Sequence, residues 1–232
     1  MQAEYHQFCA VARTLNLIGS RWTLLVVREL LLRGPLTGAA IARGLPDIPP
    51  NQLAERLADL EAARLVRRRT EPGRSRRYEA TDRGRSLEPV IDALAGFGLE
   101  HLAGEPEPDE ALLPHVLMRQ LELRYDADRA GAAGFRGRFE LEVADPETLW
   151  SLEAGEPAPR RWAALAEPDG LTVRSGACLD ADARLRMTAA EWGSLVAGRR
   201  PAPDLLDVTG AADRGRALLD LLAPAGAVAA AA

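Results

Sequence analysis

The residues of this chain with the most distinctive chemistry are its arginines. The chain has 232 residues, and all 29 of its basic residues are arginine. Nine of them lie within 22 residues that hold three acidic residues, so this segment carries +6 in a chain of net charge −5. The nine are Arg64, Arg67, Arg68, Arg69, Arg74, Arg76, Arg77, Arg83 and Arg85. Because guanidinium groups bind phosphate well, the cluster indicates a polyanionic partner such as nucleic acid.

The rest of the composition excludes several kinds of catalysis. A chain without lysine has no phosphate-loop lysine, no Schiff-base site and no Ser-x-x-Lys pair. The two cysteines form no Cys-x-x-Cys pair and the three histidines are far apart, so we expect no metal, no cofactor and no enzyme activity. The absence of a recognisable secretory signal and of an apolar run of about 20 residues predicts a cytoplasmic protein that does not cross a membrane.

A series of helices is predicted ahead of the arginine cluster. Apolar residues at helical spacing, with capping residues between them, predict helices at 10–18, 21–33, 38–43 and 50–63. Ser20 is the predicted cap of the second helix and Thr37 that of the third. Pro50 suits the first turn of the fourth helix, where a missing N–H costs nothing.

The fourth helix has two different faces. One face carries a stripe of leucines for the core: Leu53, Leu57 and Leu60. Asn51 and Gln52 lie on the opposite face, and Arg56 lies on its flank. These three side chains can contact base edges in a major groove. They are therefore candidate DNA-binding residues, together with Thr37 at the start of the preceding helix.

The arginine cluster itself is predicted to form a β-hairpin. Residues 65–71 and 76–81 have the pattern of two strands around a turn at 72–75, and Thr81 or Asp82 caps a helix that continues to Leu102. The hairpin tip carries Arg74, Arg76 and Arg77, which we expect on phosphates or in a minor groove. The order of elements predicts a winged helix-turn-helix domain that is mostly α, with a β-hairpin wing.

Three blocks of this region resemble HxlR-type transcriptional regulators: residues 9–31, 48–65 and 77–84. The resemblance implies a homodimer joined through the first helix and the helix after the wing, with each subunit reading half of an inverted repeat in double-stranded DNA. Cys9 aligns with a cysteine that some of these regulators use as a redox switch. This chain departs from the family pattern at Ala10 (usually proline), at Pro50 (near a capping serine) and at Ala63-Arg64 (usually glycine).

A second domain is predicted after an acidic, proline-rich linker. We expect a first domain at 1–104, a linker at 105–109, a second domain at 110–223 and an alanine-rich tail at 224–232. Helices are predicted in the second domain at 110–125, 189–198 and 213–222. Alternating or extended patterns predict strands at 136–143, 149–155, 171–176, 183–188 and 205–210. The predicted class is α+β with a curved, mainly antiparallel sheet.

This second half resembles sterol-carrier-protein-2-like (SCP2-like) domains in residues 139–143, 149–152, 183–198 and 208–213. The resemblance implies an apolar tunnel that holds a hydrophobic small molecule. Trp150, Trp162 and Trp192 are the candidate lining residues, although tryptophans in a small core more often serve packing alone.

The leading hypothesis is a dimeric DNA-binding regulator whose C-terminal domain senses an apolar small molecule. A second hypothesis is a redox-sensing regulator that uses Cys9, with Cys178 or the Cys9 of another subunit as its partner. A third is a carrier of apolar ligands whose winged helix has become a dimerisation scaffold, and the arginine cluster argues against it.

Overall fold

Two compact units make up the chain, Met1–Leu94 and Ala95–Ala232. The computed structural model describes residues 5–70, 75–102, 104–145, 160–200 and 207–223. The predicted strand at 149–155 and the predicted tail at 224–232 lie outside the described residues. The predicted domain boundary near residue 104 stays a prediction.

The N-terminal unit is built from helices and three short strands. In chain order these are α1 (Ala10–Ile18), α2 (Thr23–Arg33), β1 (Leu36–Thr37), α3 (Gly38–Arg43), α4 (Pro50–Ala62), β2 (Val66–Arg69), β3 (Arg77–Ala80), α5 (Asp82–Arg85) and α6 (Glu88–His101), which continues past the unit boundary. The four helices predicted ahead of the cluster are confirmed. The single helix predicted after the wing is divided, because α5 ends at Arg85 and α6 begins at Glu88.

Capping agrees with the predictions at two of three positions. The Thr37 hydroxyl accepts a hydrogen bond from the Ala40 amide at 3.1 Å, and the Thr81 hydroxyl accepts one from Gly84 at 3.0 Å. The predicted cap at Ser20 is wrong. Helix α2 begins after Trp22 without a side-chain cap, and Ser20 contributes its carbonyl oxygen, which accepts from the Thr23 amide at 3.1 Å.

The hairpin of β2 and β3 belongs to a three-stranded antiparallel sheet in the order β1-β3-β2, with β3 at its centre. Arg67 on β2 is paired with Glu79 on β3, and Thr37 on β1 is paired with Arg77 on β3. The hairpin is thus confirmed. Strand β1 was not predicted, because two residues are too few to show an alternating pattern.

The core of the N-terminal unit lies around α2. Val26, Val27 and Leu30 of this helix are buried, as its apolar sequence predicted. They form one cluster with Ile41 and with the buried leucine stripe of α4: Leu53, Leu57 and Leu60. The opposite face of α4 is therefore left for solvent or a partner.

Helix α4 ends in a Schellman arrangement. The Leu65 amide donates to the Leu60 carbonyl and the Arg64 amide to the Glu61 carbonyl, both at 2.9 Å. Arg64 takes the left-handed conformation that this motif needs, with φ 58°. Glycine is the residue that adopts this conformation without strain, which gives the family's usual glycine a physical reason.

The C-terminal unit is an α+β structure with a mixed sheet. After α6 its elements are α7 (Pro114–Arg124), α8 (Ala127–Ala133), β4 (Gly137–Val143), β5 (Arg161–Glu167), β6 (Gly170–Ser175), β7 (Ala183–Met187), α9 (Ala189–Val196), β8 (Asp207–Gly210) and α10 (Ala212–Leu222). The strand order is β6-β5-β4-β7-β8. Strands β4 and β7 are parallel and the other three pairings are antiparallel, so the mainly antiparallel sheet is confirmed among the described strands.

One face of this sheet forms the core and the other carries charge. Phe139 and Leu141 of β4 are buried with Trp162 of β5 and Trp192 of α9. The outward residues of β4 form ion pairs with neighbouring strands, as between Glu142 and Arg186 at 3.4 Å. Strand β5 and helix α8 were not predicted.

Candidate nucleic-acid interface

The first turn of α4 presents two amide side chains to solvent. Asn51 and Gln52 are exposed, while Leu53 beside them is buried in the core. Pro50 occupies the start of the helix, as predicted, and no side chain caps it. An exposed Asn and Gln at the start of a helix can make bidentate hydrogen bonds to adenine in a major groove.

Arg56 differs from these two residues because its guanidinium already has partners within the unit. Its Nη1 donates to the Ser20 hydroxyl at 2.5 Å and lies 3.2 Å from an Asp59 carboxylate oxygen. Its Nη2 lies 2.5 Å from a Glu55 carboxylate oxygen. Its side chain is only 15% exposed. Arg56 was predicted to contact a base, but in this structure its guanidinium is engaged with side chains of the protein itself.

The wing brings two predicted DNA-binding residues together. Thr37 and Arg77 are paired between β1 and β3, next to the start of α3. The Thr37 hydroxyl is engaged in the cap of α3, and Nη1 of Arg77 donates to the Pro35 carbonyl at 3.5 Å. Arg76 and Arg77 are both exposed. Arg74, at the predicted tip, lies outside the described residues.

Glu79 organises two arginines of the wing. Its buried carboxylate forms ion pairs with Arg67 and, at 3.4 Å, with Arg69. Burial by itself would raise the pKa of Glu79. The hydrogen bonds and positive charges of Arg67 and Arg69 outweigh burial, so the pKa is lowered from its ordinary value. Sequence reasoning missed this role, because it depends on the register of the hairpin, which places Glu79 opposite Arg67.

The other arginines of the cluster divide into paired and unpaired groups. Arg68 lies 3.6 Å from Glu61, and Arg85 lies 3.5 Å from Asp82. Arg64, Arg76 and Arg83 are exposed, and the described part of the chain contains no ion pair to any of the three. These three side chains are therefore available to an external anion.

The residues predicted for other functions are two cysteines and three tryptophans. Cys9 is an exposed free thiol and Cys178 a buried one. Trp162 and Trp192 are core residues of the C-terminal unit, and the Trp192 indole donates to the Glu142 carbonyl at 3.1 Å. Trp150 lies outside the described residues. No group of metal-ligating side chains and no helix fit to cross a membrane occurs within the described ranges.

The fold and the exposed surface of α4 and the wing place the N-terminal unit in the class of winged helix-turn-helix DNA-binding domains. The family model described as HxlR-like helix-turn-helix matches residues 17–106. An HTH-type transcriptional regulator of Methanothermobacter thermautotrophicus is 35% identical over 92 residues, which are 39% of this chain and 70% of that protein. The chain belongs to the HxlR-like helix-turn-helix family of transcriptional regulators.

Two further similar proteins come from Bacillus subtilis. The HTH-type transcriptional regulator YtcD is 31% identical over 97 residues, which are 40% of this chain and 75% of YtcD. The solved structure of the reduced form of the transcriptional regulator YodB is 27% identical and covers 45% of this chain and 100% of the YodB chain, with a TM-score of 0.37. The family match ends at residue 106, so most of the C-terminal unit lies beyond it.

Proposed function

We propose that this regulator binds an inverted-repeat operator in double-stranded DNA as a homodimer, with Asn51 and Gln52 of α4 on base edges and the wing arginines on the phosphate backbone. The observation that carries the proposal is the presence of exposed amides at the start of α4 together with exposed arginines near the wing that have no ion pair among the described residues. Amides supply sequence selectivity, and arginines supply affinity that falls with salt.

Dimerisation is supported by large apolar side chains that are exposed on the N-terminal unit. Phe8 is 94% exposed, Val11 66% and Leu94 55%. These side chains belong to the segment around α1 and to α6. An apolar surface of this kind is more stable when it is covered, and a second copy of the same face would cover it.

The C-terminal unit is proposed to be an SCP2-like sensor of an apolar small molecule. Its support is the resemblance of its sequence to that class and the α+β arrangement of a sheet with one apolar face packed by helices. Binding would control DNA affinity by linkage, because a ligand that prefers one arrangement of the dimer shifts the population toward it. A tenfold change in affinity requires only about 1.4 kcal/mol of differential binding.

The experiment is selection of duplexes from a random pool by the full-length protein, followed by gel-shift titration at several salt concentrations. We expect enrichment of an inverted repeat and an affinity that falls steeply with salt. Failure to enrich any sequence would contradict the proposal. Native mass spectrometry of the purified protein checks the dimer and any co-purified apolar molecule in the same measurement.

Redox control is a second candidate, favoured by the exposure of the Cys9 thiol. An oxidant such as diamide would take two electrons and two protons from the Cys9 thiols of two subunits and leave a disulfide between them. Diamide is then expected to change DNA affinity in the wild type and to leave Cys9→Ser unaffected. An equal response of both proteins excludes this candidate.

A further inference from the structure

We infer that Arg56 is a positioning residue of the recognition helix: it fixes α4 to the turn before α2 and thereby holds Asn51 and Gln52 in place, and it does not itself read a base. The inference rests on the proposed DNA-binding function. It assigns Arg56 a different role from the base contact that its position on the helix first predicts.

The first step is the hydrogen-bonding state of the guanidinium. Nη1 donates to the Ser20 hydroxyl at 2.5 Å and approaches Asp59, while Nη2 approaches Glu55 at 2.5 Å. A guanidinium that reads guanine needs two parallel N–H groups directed at the base. Arg56 would have to give up these partners to provide them.

The second step is the order of exposure around Arg56. Its side chain is 15% exposed, whereas those of Glu55 and Asp59 are 61% and 58% exposed. A phosphate or base approaching this part of α4 would therefore meet carboxylates before it met the guanidinium. Carboxylates repel phosphate, so this arrangement disfavours a direct contact of Arg56 with the backbone.

The third step concerns Ser20, whose hydroxyl accepts the hydrogen bond from Arg56. Ser20 lies in the connection between α1 and α2, and its carbonyl accepts from the Thr23 amide at the start of α2. Helix α2 is the centre of the core, with Val26 and Val27 fully buried. The Ser20 hydroxyl is thus a fixed point of the domain, and Arg56 connects the middle of α4 to it.

The fourth step is the geometry of α4 itself. Gln52 precedes Arg56 by four residues, so the two side chains share one face of the helix, about 6 Å apart along its axis. A rotation or tilt of α4 that is permitted by the loss of Arg56 would therefore displace Gln52 and Asn51. Recognition sites tolerate errors of only about 0.5 Å and 10–20°.

The test compares Arg56→Gln, Ser20→Ala and the double variant in the full-length protein. The probes are a duplex that the wild type enriches from a random pool and an unrelated duplex of equal length. We expect each single variant to lose about tenfold in affinity for the enriched duplex and the double variant to lose little more, because both act through one contact. Affinity for the unrelated duplex, and the slope of log K against log salt, should not change.

Arg83→Gln is the matched control, since it removes an arginine that has no ion pair among the described residues. Because Arg83 is proposed to contact phosphate directly, its removal should lower affinity for both duplexes and reduce the salt slope by about one.

A reduced salt slope for Arg56→Gln, or a neutral Ser20→Ala beside an impaired Arg56→Gln, would overturn the inference. Circular dichroism melting sets an assay temperature at which every variant is folded, so that loss of discrimination is separated from unfolding. If the wild type enriches no duplex, the proposed function fails, which is a distinct result.

Discussion

Gly84 lies directly against the carbonyl oxygen of Leu65, where a Cβ on residue 84 would overlap that oxygen. The same carbonyl accepts from the Thr81 amide at 3.0 Å. The Thr81 hydroxyl donates to the Arg64 carbonyl at 2.7 Å and caps α5 by accepting from the Gly84 amide. The Thr-x-x-Gly sequence therefore joins the end of the wing to the segment that follows the recognition helix.

Substitution Gly84→Ala should destabilise the N-terminal unit by about 1–3 kcal/mol, because backbone must move to admit the methyl group. The free energy of unfolding from urea titration measures the effect. Gly96→Ala is the control: position 96 has open space around it and lies inside α6, so alanine should be neutral or stabilising by up to about 1 kcal/mol. Equal effects of the two substitutions would contradict the close approach at Gly84.

Arg64 should show opposite effects on stability and on DNA binding. Arg64→Gly relieves a left-handed backbone conformation, so we expect a gain of about 1 kcal/mol in the free energy of unfolding. It also removes an exposed cation, so affinity for DNA should fall. Arg64→Ala removes the same charge without relieving the backbone, and should lose affinity with no gain in stability. Urea unfolding and gel-shift titration separate the two effects.

Glu79 should make the unit sensitive to acid. Its pKa is lowered in the folded state, so its contribution to stability is complete above the unfolded carboxyl pKa of about 4.3 and is lost as pH falls through the lower folded pKa. Unfolding free energies measured from pH 6 down to about pH 3 should fall less steeply for Glu79→Gln than for the wild type. Asp128→Asn, at an exposed position, serves as the control and should retain the wild-type slope.

The exposed apolar side chains around α1 and on α6 should control the oligomeric state. Leu94→Glu places a charge in the proposed dimer contact, so the variant should sediment as a monomer and bind an inverted repeat more weakly than the wild type. Leu179→Glu is the matched control, since Leu179 is also exposed but belongs to the C-terminal unit. Analytical ultracentrifugation makes the comparison, and a dimeric Leu94→Glu protein would reject this interface.

Sequence patterns that extend over a few residues were sufficient to predict much of the N-terminal unit. Thr37 as a cap, Pro50 at a helix start and the leucine stripe of α4 each depend on residues within a few positions, and each is confirmed. Arg56 and Glu79 could not be assigned in the same way. The partner of Arg56 at Ser20 is 36 residues away, and only the fold brings them together.

The C-terminal unit contains a strand that the alternation of apolar and polar residues does not predict. In β5 the inward residues Ala164 and Ala166 follow an outward Ala163, so the hydrophobic contrast between the two faces is weak. Strand β4 was predicted because its inward residues are large and its outward ones are charged: Phe139 and Leu141 against Glu140 and Glu142. The burial of Trp162 and Trp192 in one core depends on packing between distant segments, which no local pattern encodes.

The parallel pairing of β4 with β7 has a consequence for how the C-terminal unit folds. Strand β4 ends at Val143 and β7 begins at Ala183, so these two neighbouring strands are remote in the chain, whereas β5 and β6 are joined by a tight turn. Closing a long loop costs conformational entropy before the contacts that offset this cost can form. We expect the β5–β6 hairpin to acquire amide protection early in refolding and β7 and β8 to acquire it last, which pulse-labelled hydrogen exchange can follow. Simultaneous protection of all five strands would count against this order.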